Sequence, residues 1–206
     1  MEERKLSECD ESGSSVMTQG RVVSVHVGAT GTLDKEADQA LEMAIDGIVG
    51  DRHRGAMRKA WATGDKQVGG TVRRNERQWS AIAHEDVEKI SAAMSLAQPL
   101  TAGAIAVNLC IEGIPDFSRL PRGTTLSFES GVVLMVEEYN PPCGDMALHV
   151  SKNNVTTSGE SPPPPAFSEA AKFCRGLVGV VEVPGFIRPG DQVTVEAEPL
   201  PKWLRT

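Results

Sequence analysis

Closely spaced strand patterns in the second half of the chain constrain the fold most. The segments AIAVNLCI, TTLSF, GVVLMVEEY, VGVVEV and QVTVEA are rich in β-branched residues, and turn sequences such as PRG, ESG and RPGD separate several of them. Strands at this frequency, accompanied by one or two helices, predict a mainly β fold of the α+β type. The core is expected to be closed or sandwich-like.

The first half of the chain predicts further strands and one helix. Residues 21–27 (RVVSVHV) alternate as a strand does, LEMAIDGIVGDRH carries an apolar run into a charged turn, and residues 77–83 (RQWSAIA) form another strand candidate. The segment HEDVEKISAAMSLAQ opens with acidic residues, is closed by Pro99, and places four apolar residues on one helical face: Val87, Ile90, Met94 and Ala97.

One domain accounts for most of the 206 residues, because this length supports a single substantial core. We expect a disordered N-terminal tail at 1–19, a folded domain over 20–199 and a C-terminal tail at 200–206. Residues 152–168 (KNNVTTSGESPPPPAFS) contain four consecutive prolines, which a sheet interior does not accommodate. We expect a mobile loop there, either a lid or an inert insertion.

The compartment is indicated by the polar start of the chain and by its cysteines. The first twenty residues lack the apolar core of a signal peptide, and no apolar run is long enough for a transmembrane helix. The 4 cysteines show no CxxC spacing. These features predict a cytoplasmic protein with free thiols and no membrane association.

The charge is acidic overall but basic locally. The formal net charge of -7 argues against nucleic-acid binding. Residues 51–77 hold eight Lys and Arg against three acids, which gives +5 locally and leaves -12 for the remainder. Such a basic segment suits a small anion better than a polyanion, and the alternative is a solvated surface loop.

Several standard catalytic patterns are missing from the sequence. It contains no GxSxG, HExxH, Walker or GxGxxG motif, and the 4 histidines are scattered without metal-ligand spacing. A zinc hydrolase or a nucleotide-binding fold is therefore poorly supported.

Cys143 is the principal candidate for chemistry. It follows Pro141 and Pro142 at the end of a strand pattern, and the two prolines restrict the backbone before it. The following GDMALHVSK can form a short helix, whose N-terminus would favour the thiolate form of the sulfur. Cys143 is therefore either a nucleophile, a sulfur carrier or a soft-metal ligand, or else a buried inert side chain.

Two other segments carry polar candidates, and each has a purely structural alternative. In DGIVGDRHRG, residues 46–55, glycines precede an Asp-Arg-His-Arg run that can form a rim able to hold a phosphate, or a capped surface turn. Arg77 and Gln78 open a strand and can face a polar ligand or serve as edge-strand polar residues. Arg175 can reach an anion, but we expect it to be a cation at a strand start.

Taken in order, these segments resemble the MOSC domain, named for the C-terminal domain of molybdenum-cofactor sulfurases. The resemblance rests on GIVGDRHRG, RQ at a strand start, NL..EG, PPC, and RGLVGVVEVPGFIRPGDQVTV, and it runs from about Arg21 to Glu198. It implies a β-barrel-like fold with a few short helices.

The resemblance also implies a set of site residues. The cysteine that serves in the family as sulfur carrier or molybdenum ligand corresponds to Cys143. The cofactor-binding positions correspond to Lys35, Arg52, His53, Arg77, Gln78 and Asn108. Here Asp34 replaces a common proline, Ala106 and Val107 replace the usual charged residue before the asparagine, and the segment before Arg77 is lengthened.

The function implied is binding of a molybdopterin-type molybdenum cofactor through the Cys143 thiolate, with reduction of N-hydroxylated or similar small molecules. Electrons would come from an external partner protein, because the chain has no flavin or iron–sulfur pattern. The alternative is a non-catalytic module that carries sulfur as a Cys143 persulfide, supplied by a sulfurtransferase, or that transfers the cofactor. Pyridoxal phosphate binding is not expected, and the sequence specifies neither substrate nor oligomeric state.

Overall fold

The computed structural model describes residues 16–29 and 31–197. Its three helices are α1 (His84–Ala93), α2 (Gly144–Asn153) and α3 (Pro164–Ala170). The strands, in chain order from β1 to β13, are Val16–Val27, Glu36–Asp38, Leu41–Ala44, Gly47–Ile48, Met57–Lys59, Val72–Arg74, Trp79–Ala83, Leu109–Glu112, Thr125–Phe128, Val133–Tyr139, Leu177–Val183, Gly185–Ile187 and Gln192–Ala197.

The main sheet closes on itself. Its strand order is β13-β9-β10-β11-β7-β8-β1-β2, and an additional pairing of β13 with β1 joins the two ends into a barrel of seven strands, with β2 as an appendage. All neighbouring pairs are antiparallel except β7 and β8, which are parallel and are connected through α1. The mainly β, barrel-like fold predicted from the sequence is thus confirmed.

Two apolar clusters hold the molecule together. The first lies inside the barrel, where alternate residues such as Trp79, Ala81 and Leu126 pack with residues from most strands. The second lies between the outer face of β7 and β8 and the three helices, and includes Ile82, Cys110 and Phe167. The period of two along each strand thus supplies one core on each face of the sheet.

The predicted helix at residues 84–98 is confirmed in part. Helix α1 spans His84–Ala93, with Glu85 and Asp86 in its first turn and its apolar residues buried against β7 and β8. It ends before the expected Ala97, which is exposed. The short helix expected after Cys143 is α2.

Two sequence expectations are corrected at element boundaries. Regular structure begins at Val16, because β1 pairs with β13 from there on, whereas the tail was expected to extend to residue 19. Most of AIAVNLCI is not a strand, because a 3-10 turn and the left-handed Ala106 (φ 60°) precede β8. The expected tail residues 1–15 and 200–206 lie outside the described residues.

The proline-rich segment is ordered differently from the mobile loop that was expected. Pro164 begins α3, and proline is well accommodated in a first helical turn because its missing N–H has no partner there in any case. Phe167 on this helix is fully buried, and the Ser151 hydroxyl donates to the Pro162 carbonyl at 2.7 Å. The segment therefore packs as a helical cover beside α2.

Within the described residues, none of the helices is long and apolar enough to cross a membrane.

Candidate functional site

Cys143 lies at the N-terminus of α2, where its sulfur is accessible. Its backbone is extended (φ -113°, ψ 159°) and its carbonyl accepts the first helical hydrogen bond, from the Ala147 N–H at 3.0 Å. The residue is exposed, and a side chain added at Gly144 would meet no atom within 4 Å. The structure therefore presents Cys143 as an accessible thiol and not as a buried inert residue.

Arg175 lies close to Cys143 and is almost completely buried. Its residue exposure is 5%, and only its Nη2 finds an acceptor, the Ile105 carbonyl. The Nε and Nη1 groups have no partner, and no carboxylate in the described part of the chain pairs with this guanidinium. Burial lowers the pKa of Arg175 to about 10, a negative charge on Cys143 raises it, and Arg77 lowers it further.

The closeness of these two residues follows from strand pairing. Strand β10 ends at Tyr139 and pairs with the start of β11, and the Asn140 N–H donates to the Gly176 carbonyl at 2.9 Å. The end of one strand and the start of its neighbour therefore meet at one rim of the barrel, with Cys143 shortly after the first and Arg175 just before the second. Phe167 of α3 lies 5.8 Å from the Arg175 guanidinium and supports it.

Arg77 extends this cationic rim. It immediately precedes β7, the strand beside β11, and its Nη2 donates to the Asn140 Oδ1 at 2.6 Å. Its side chain is mostly buried, which lowers its pKa, and its nearest carboxylate is the exposed Glu138 at 3.8 Å. Arg77 therefore connects the segment that leads to Cys143 with the neighbouring pocket described below.

Lys35, Asp51 and Asn108 form a buried polar cluster. The Lys35 Nζ lies 2.6 Å from the Asp51 Oδ2, and both side chains are 0% exposed. Burial lowers the pKa of Lys35 to about 8 against the opposing effect of Asp51. The same carboxyl oxygen accepts from the Asn108 amide at 2.7 Å and from the Gly28 N–H at 3.0 Å.

The strong hydrogen bonding of Asp51 has a clear electrostatic effect. Burial alone would raise the pKa of this carboxyl, but the hydrogen bonds from His53 and the charge of Lys35 outweigh it and hold the pKa far below the ordinary range. Asp51 is therefore an anion at neutral pH, and the cluster that it forms with Lys35 and Asn108 fixes the turn on which Arg52 and His53 lie.

The two basic residues after Asp51 differ in availability. The Arg52 guanidinium donates to the carbonyls of Thr32 and Leu33, so it ties down that loop. The His53 side chain is 43% exposed, and its Nδ1 lies 3.1 Å from the Asp51 Oδ1. The Asp51 hydrogen bond raises the pKa of His53, but burial, Lys35 and Arg52 together lower it below its ordinary value.

Gln78 faces the interior of the fold. Its side chain is buried and its Oε1 accepts from the Val181 N–H at 2.9 Å. The amide therefore links the segment just before β7 to β11, and it steadies the backbone beside Arg77.

A pocket of about 330 Å³ opens beside this rim. Its lining combines Trp61 with five cationic side chains, and no carboxylate contributes to it: Arg52, Arg54, Arg58, Lys59 and Arg77. His53 also lines it, so three of the residues singled out from the sequence meet here. Lys35, Gln78 and Asn108 are not among the lining residues.

The other cysteines in the described part of the chain have different surroundings. Burial raises the pKa of Cys110 to about 12, so this thiol stays protonated within the layer beneath the helices. Cys174 is half-buried, its Sγ donates to the Ala170 carbonyl, and burial raises its pKa as well. Cys9 lies outside the described residues.

Two members of the site were not assigned to it from the sequence. Arg175 was expected to be a cation at a strand start, and its approach to Cys143 depends on a strand pairing that no local pattern reveals. Trp61 lies in the lengthened segment before Arg77, and its position depends on the fold of that segment. An aromatic residue among arginines was the only available sequence feature.

Comparisons with known proteins agree on one family. The profile of the MOSC domain matches residues 51–194. A Bacillus subtilis (strain 168) protein described as "Putative metal-sulfur cluster biosynthesis proteins YuaD" is 31% identical over 166 residues, which are 79% of this chain and 82% of that protein.

Solved structures show the same fold. The YuaD protein from Bacillus subtilis superposes with a TM-score of 0.83 at 25% identity, covering 90% of this chain and 100% of that one. YiiM from Geobacillus stearothermophilus superposes with a TM-score of 0.56 at 16% identity, over 85% of this chain and 74% of that one. The second likeness concerns the fold alone.

Proposed function

The chain belongs to the MOSC domain family, and from this premise we propose that it binds a molybdopterin-type molybdenum cofactor with the Cys143 thiolate as the protein ligand of the metal. When bound, this cofactor supplies two-electron redox chemistry suited to reducing N-hydroxylated or similar small molecules. The electrons would come from an external partner protein. A thiolate is a soft donor and suits this metal.

The observation that carries the proposal is the unpaired Arg175 beside Cys143. A buried cation without a counter-ion is costly, and the cost is relieved when an anion binds there. The cofactor is anionic and rich in acceptor oxygens, so two free guanidinium N–H groups next to an exposed thiol fit it. Arg77 adds a second cation at the same rim.

His53 is suited to hold a proton at the mouth of the pocket. A carboxylate only accepts hydrogen bonds, so the neutral imidazole donates its Nδ1–H to Asp51 and leaves Nε2 as an acceptor. Because its pKa lies below the ordinary value, His53 is uncharged at neutral pH. It can therefore take a proton from a bound molecule or pass one to it.

Lys35, Asn108, Arg52 and Gln78 contribute by orientation in this proposal. Lys35 and Asn108 hold Asp51, which in turn holds His53, while Arg52 fixes the preceding loop. Gln78 fixes the backbone beside Arg77. These residues shape the site without direct contact with the metal.

The proposal is tested by the metal and pterin content of the protein purified from its own host. We expect molybdenum close to one per chain in the wild type and almost none in Cys143→Ser, because the serine oxygen is a poor replacement for the soft sulfur. Cys174→Ser, which changes a half-buried thiol bonded to the Ala170 carbonyl, serves as the matched control and should retain the metal. Equal molybdenum in wild type and Cys143→Ser would overturn the assignment.

A second candidate function is that of a sulfur carrier. The exposed Cys143 at a helix N-terminus, next to a guanidinium, suits attack on the terminal sulfur of a donor persulfide. The new S–S bond would form on Cys143 as the donor's own S–S bond breaks and its thiolate leaves. The description of YuaD refers to metal-sulfur cluster biosynthesis, which is compatible with this chemistry.

The carrier function is tested by intact-protein mass spectrometry after incubation with a persulfide donor. One additional sulfur atom on the wild type, absent from Cys143→Ser and accompanied by no molybdenum, would favour the carrier over the cofactor-binding function. An unmodified wild-type protein would count against it.

A further inference from the structure

A separate hairpin forms one wall of the pocket that Arg77 and His53 line. It consists of β5 and β6 and pairs with no other strand among the described residues. Four charged side chains bind it together. The Asp65 carboxylate accepts two bonds from Arg58, at 2.7 and 2.6 Å, and Arg73 bonds both Asp65 and Glu76. Glu76 also pairs with Arg58.

This network makes the hairpin a defined structure and is itself neutral. Two arginines face two carboxylates, and all four side chains are at most 25% exposed. The net positive charge of residues 51–77 therefore lies on other residues, of which Arg52, Arg54, Lys59 and Arg77 line the pocket. Lys59 is one of these, and no carboxylate in the described part of the chain pairs with it.

The hairpin presents Trp61 to the pocket. The backbone N–H of Trp61 donates to the Asp65 Oδ2 at 2.7 Å, so the same carboxylate that holds the arginines also fixes the backbone of this residue. The guanidinium carbons of Arg58 and Arg77 lie 4.5 and 5.2 Å from the ring centre. Nevertheless, 48% of Trp61 is exposed. An aromatic side chain held in this way offers a stacking surface next to the candidate site.

We propose that this pocket is a substrate subsite that selects planar aromatic molecules carrying a negative charge. The aromatic ring would stack on Trp61, and the anionic group would pair with Lys59 and Arg77. The pocket volume of about 330 Å³ accommodates a ring system of one or two rings. The inference deepens the proposed function by naming its substrate class, while binding itself requires no metal.

The test measures the affinity of the metal-free, full-length protein for 2-naphthoate, 2-naphthamide and cyclohexanecarboxylate by isothermal titration calorimetry. The three probes separate the contribution of the aromatic ring from that of the charge. We expect 2-naphthoate to bind tightest. Trp61→Ala should weaken its binding about tenfold, which is the scale of one stacking contact. Trp61→Phe should restore most of the loss.

Two control variants and one alternative outcome make the test specific. Val68→Ala alters another exposed apolar residue, in the β5–β6 connection, and should leave the affinity unchanged. Cys174→Ser should also bind 2-naphthoate normally, and because the titrated protein is metal-free, a failed cofactor assignment would not affect this result. Equal binding of 2-naphthoate by wild type and Trp61→Ala would overturn the proposal. A loss of molybdenum content in Trp61→Ala with unchanged naphthoate binding would assign the ring surface to the cofactor's pterin instead, and would overturn it too.

Discussion

Arg175 illustrates how a single buried side chain can indicate a ligand. Most buried guanidinium groups are satisfied by carboxylates or carbonyls, whereas this one leaves two N–H groups without partners. The sequence revealed a cation before a strand but not its neighbour, because Cys143 is brought near by the pairing of β10 with β11. By contrast, the proline pair and the following helix made Cys143 recognisable from local sequence alone.

Replacing Arg175 should reduce molybdenum binding while leaving the stability of the fold nearly unchanged. In Arg175→Met the buried charge is removed together with its desolvation cost, so we expect the free energy of unfolding to fall by less than about 1 kcal/mol, or to rise. Molybdenum content should nevertheless drop severely. Urea unfolding and metal analysis of the same preparation check both outcomes. Strong destabilisation with normal metal content would assign Arg175 to the fold alone.

Replacing Lys35 should lower the stability of the fold strongly, in contrast to replacing Arg175. Lys35→Met leaves the Asp51 carboxylate buried without its cation, which costs about 3 to 5 kcal/mol in comparable pairs. The urea midpoint should therefore fall strongly. Lys66→Met, which changes an exposed lysine of the hairpin loop, is the matched control and should be near neutral. A small effect at Lys35 would show that hydrogen bonds from Asn108 and Gly28 suffice for Asp51.

Acid should weaken the fold through Asp51 and Glu76. Burial opposes ionisation at both, but hydrogen bonds and nearby cations lower the pKa of each carboxyl in the folded state. A depressed pKa contributes stability that is complete above the unfolded value of about 4 and is lost as pH falls below it. We expect the urea midpoint to drop between pH 4 and 2.5. A constant midpoint over this range would contradict the ion-pair description.

At the scale of elements, prediction succeeded where local pattern and tertiary packing agree. Helix α1 and strand β7 follow their periodicity directly. The strand predicted before β8 was wrong, because the apolar alternation there coincides with a 3-10 turn that ends at the left-handed Ala106. The loop predicted for the proline-rich segment differs from the structure because burial of Phe167 stabilises α3. The sequence does not show which surface the Phe167 ring packs against.

The β5–β6 hairpin should respond to loss of its central carboxylate as an independent element. In Asp65→Asn the bonds to Arg58 and Arg73 weaken, so we expect faster tryptic cleavage within residues 57–76. The urea midpoint should change little because this hairpin lies outside the main sheet. Asp46→Asn, which weakens the more exposed pair with Arg54, is the control for general charge effects. Unchanged cleavage would show that the network does not hold the hairpin.

At the scale of the whole molecule, closure of the barrel depends on β13. This strand pairs with both β1 and β9, and its Val193 and Val195 point into the interior. The strand periodicity of the last segment predicted the element, but which two strands it joins depends on contacts distant in sequence. The pattern of residues left a closed or a sandwich-like core as alternatives, and the resemblance to a known family implied the barrel.

A charge inside the barrel should therefore test closure. Val195→Asp buries a carboxylate among apolar side chains, and we expect it to abolish cooperative unfolding or to lower the midpoint drastically. Thr194→Asp places the same charge on the other face of the strand, where the residue is half-buried, and should be much milder. Urea unfolding followed by circular dichroism distinguishes the two variants. Similar stability of both variants would contradict the assigned strand orientation.

Because β10 pairs directly with β11, the segment between them, which contains α2 and α3, can be replaced without disturbing that pairing. The backbone segments that lead to Cys143 and from Arg175 are held one strand spacing apart, about 4.8 Å, where Asn140 bonds Gly176 at the end of the sheet. Helices α2 and α3 leave and return at that same edge, so their length does not set the separation. Natural divergence or loop grafting can thus rebuild the cover beyond the first turn of α2, and with it the access route, while β10 and β11 keep their pairing.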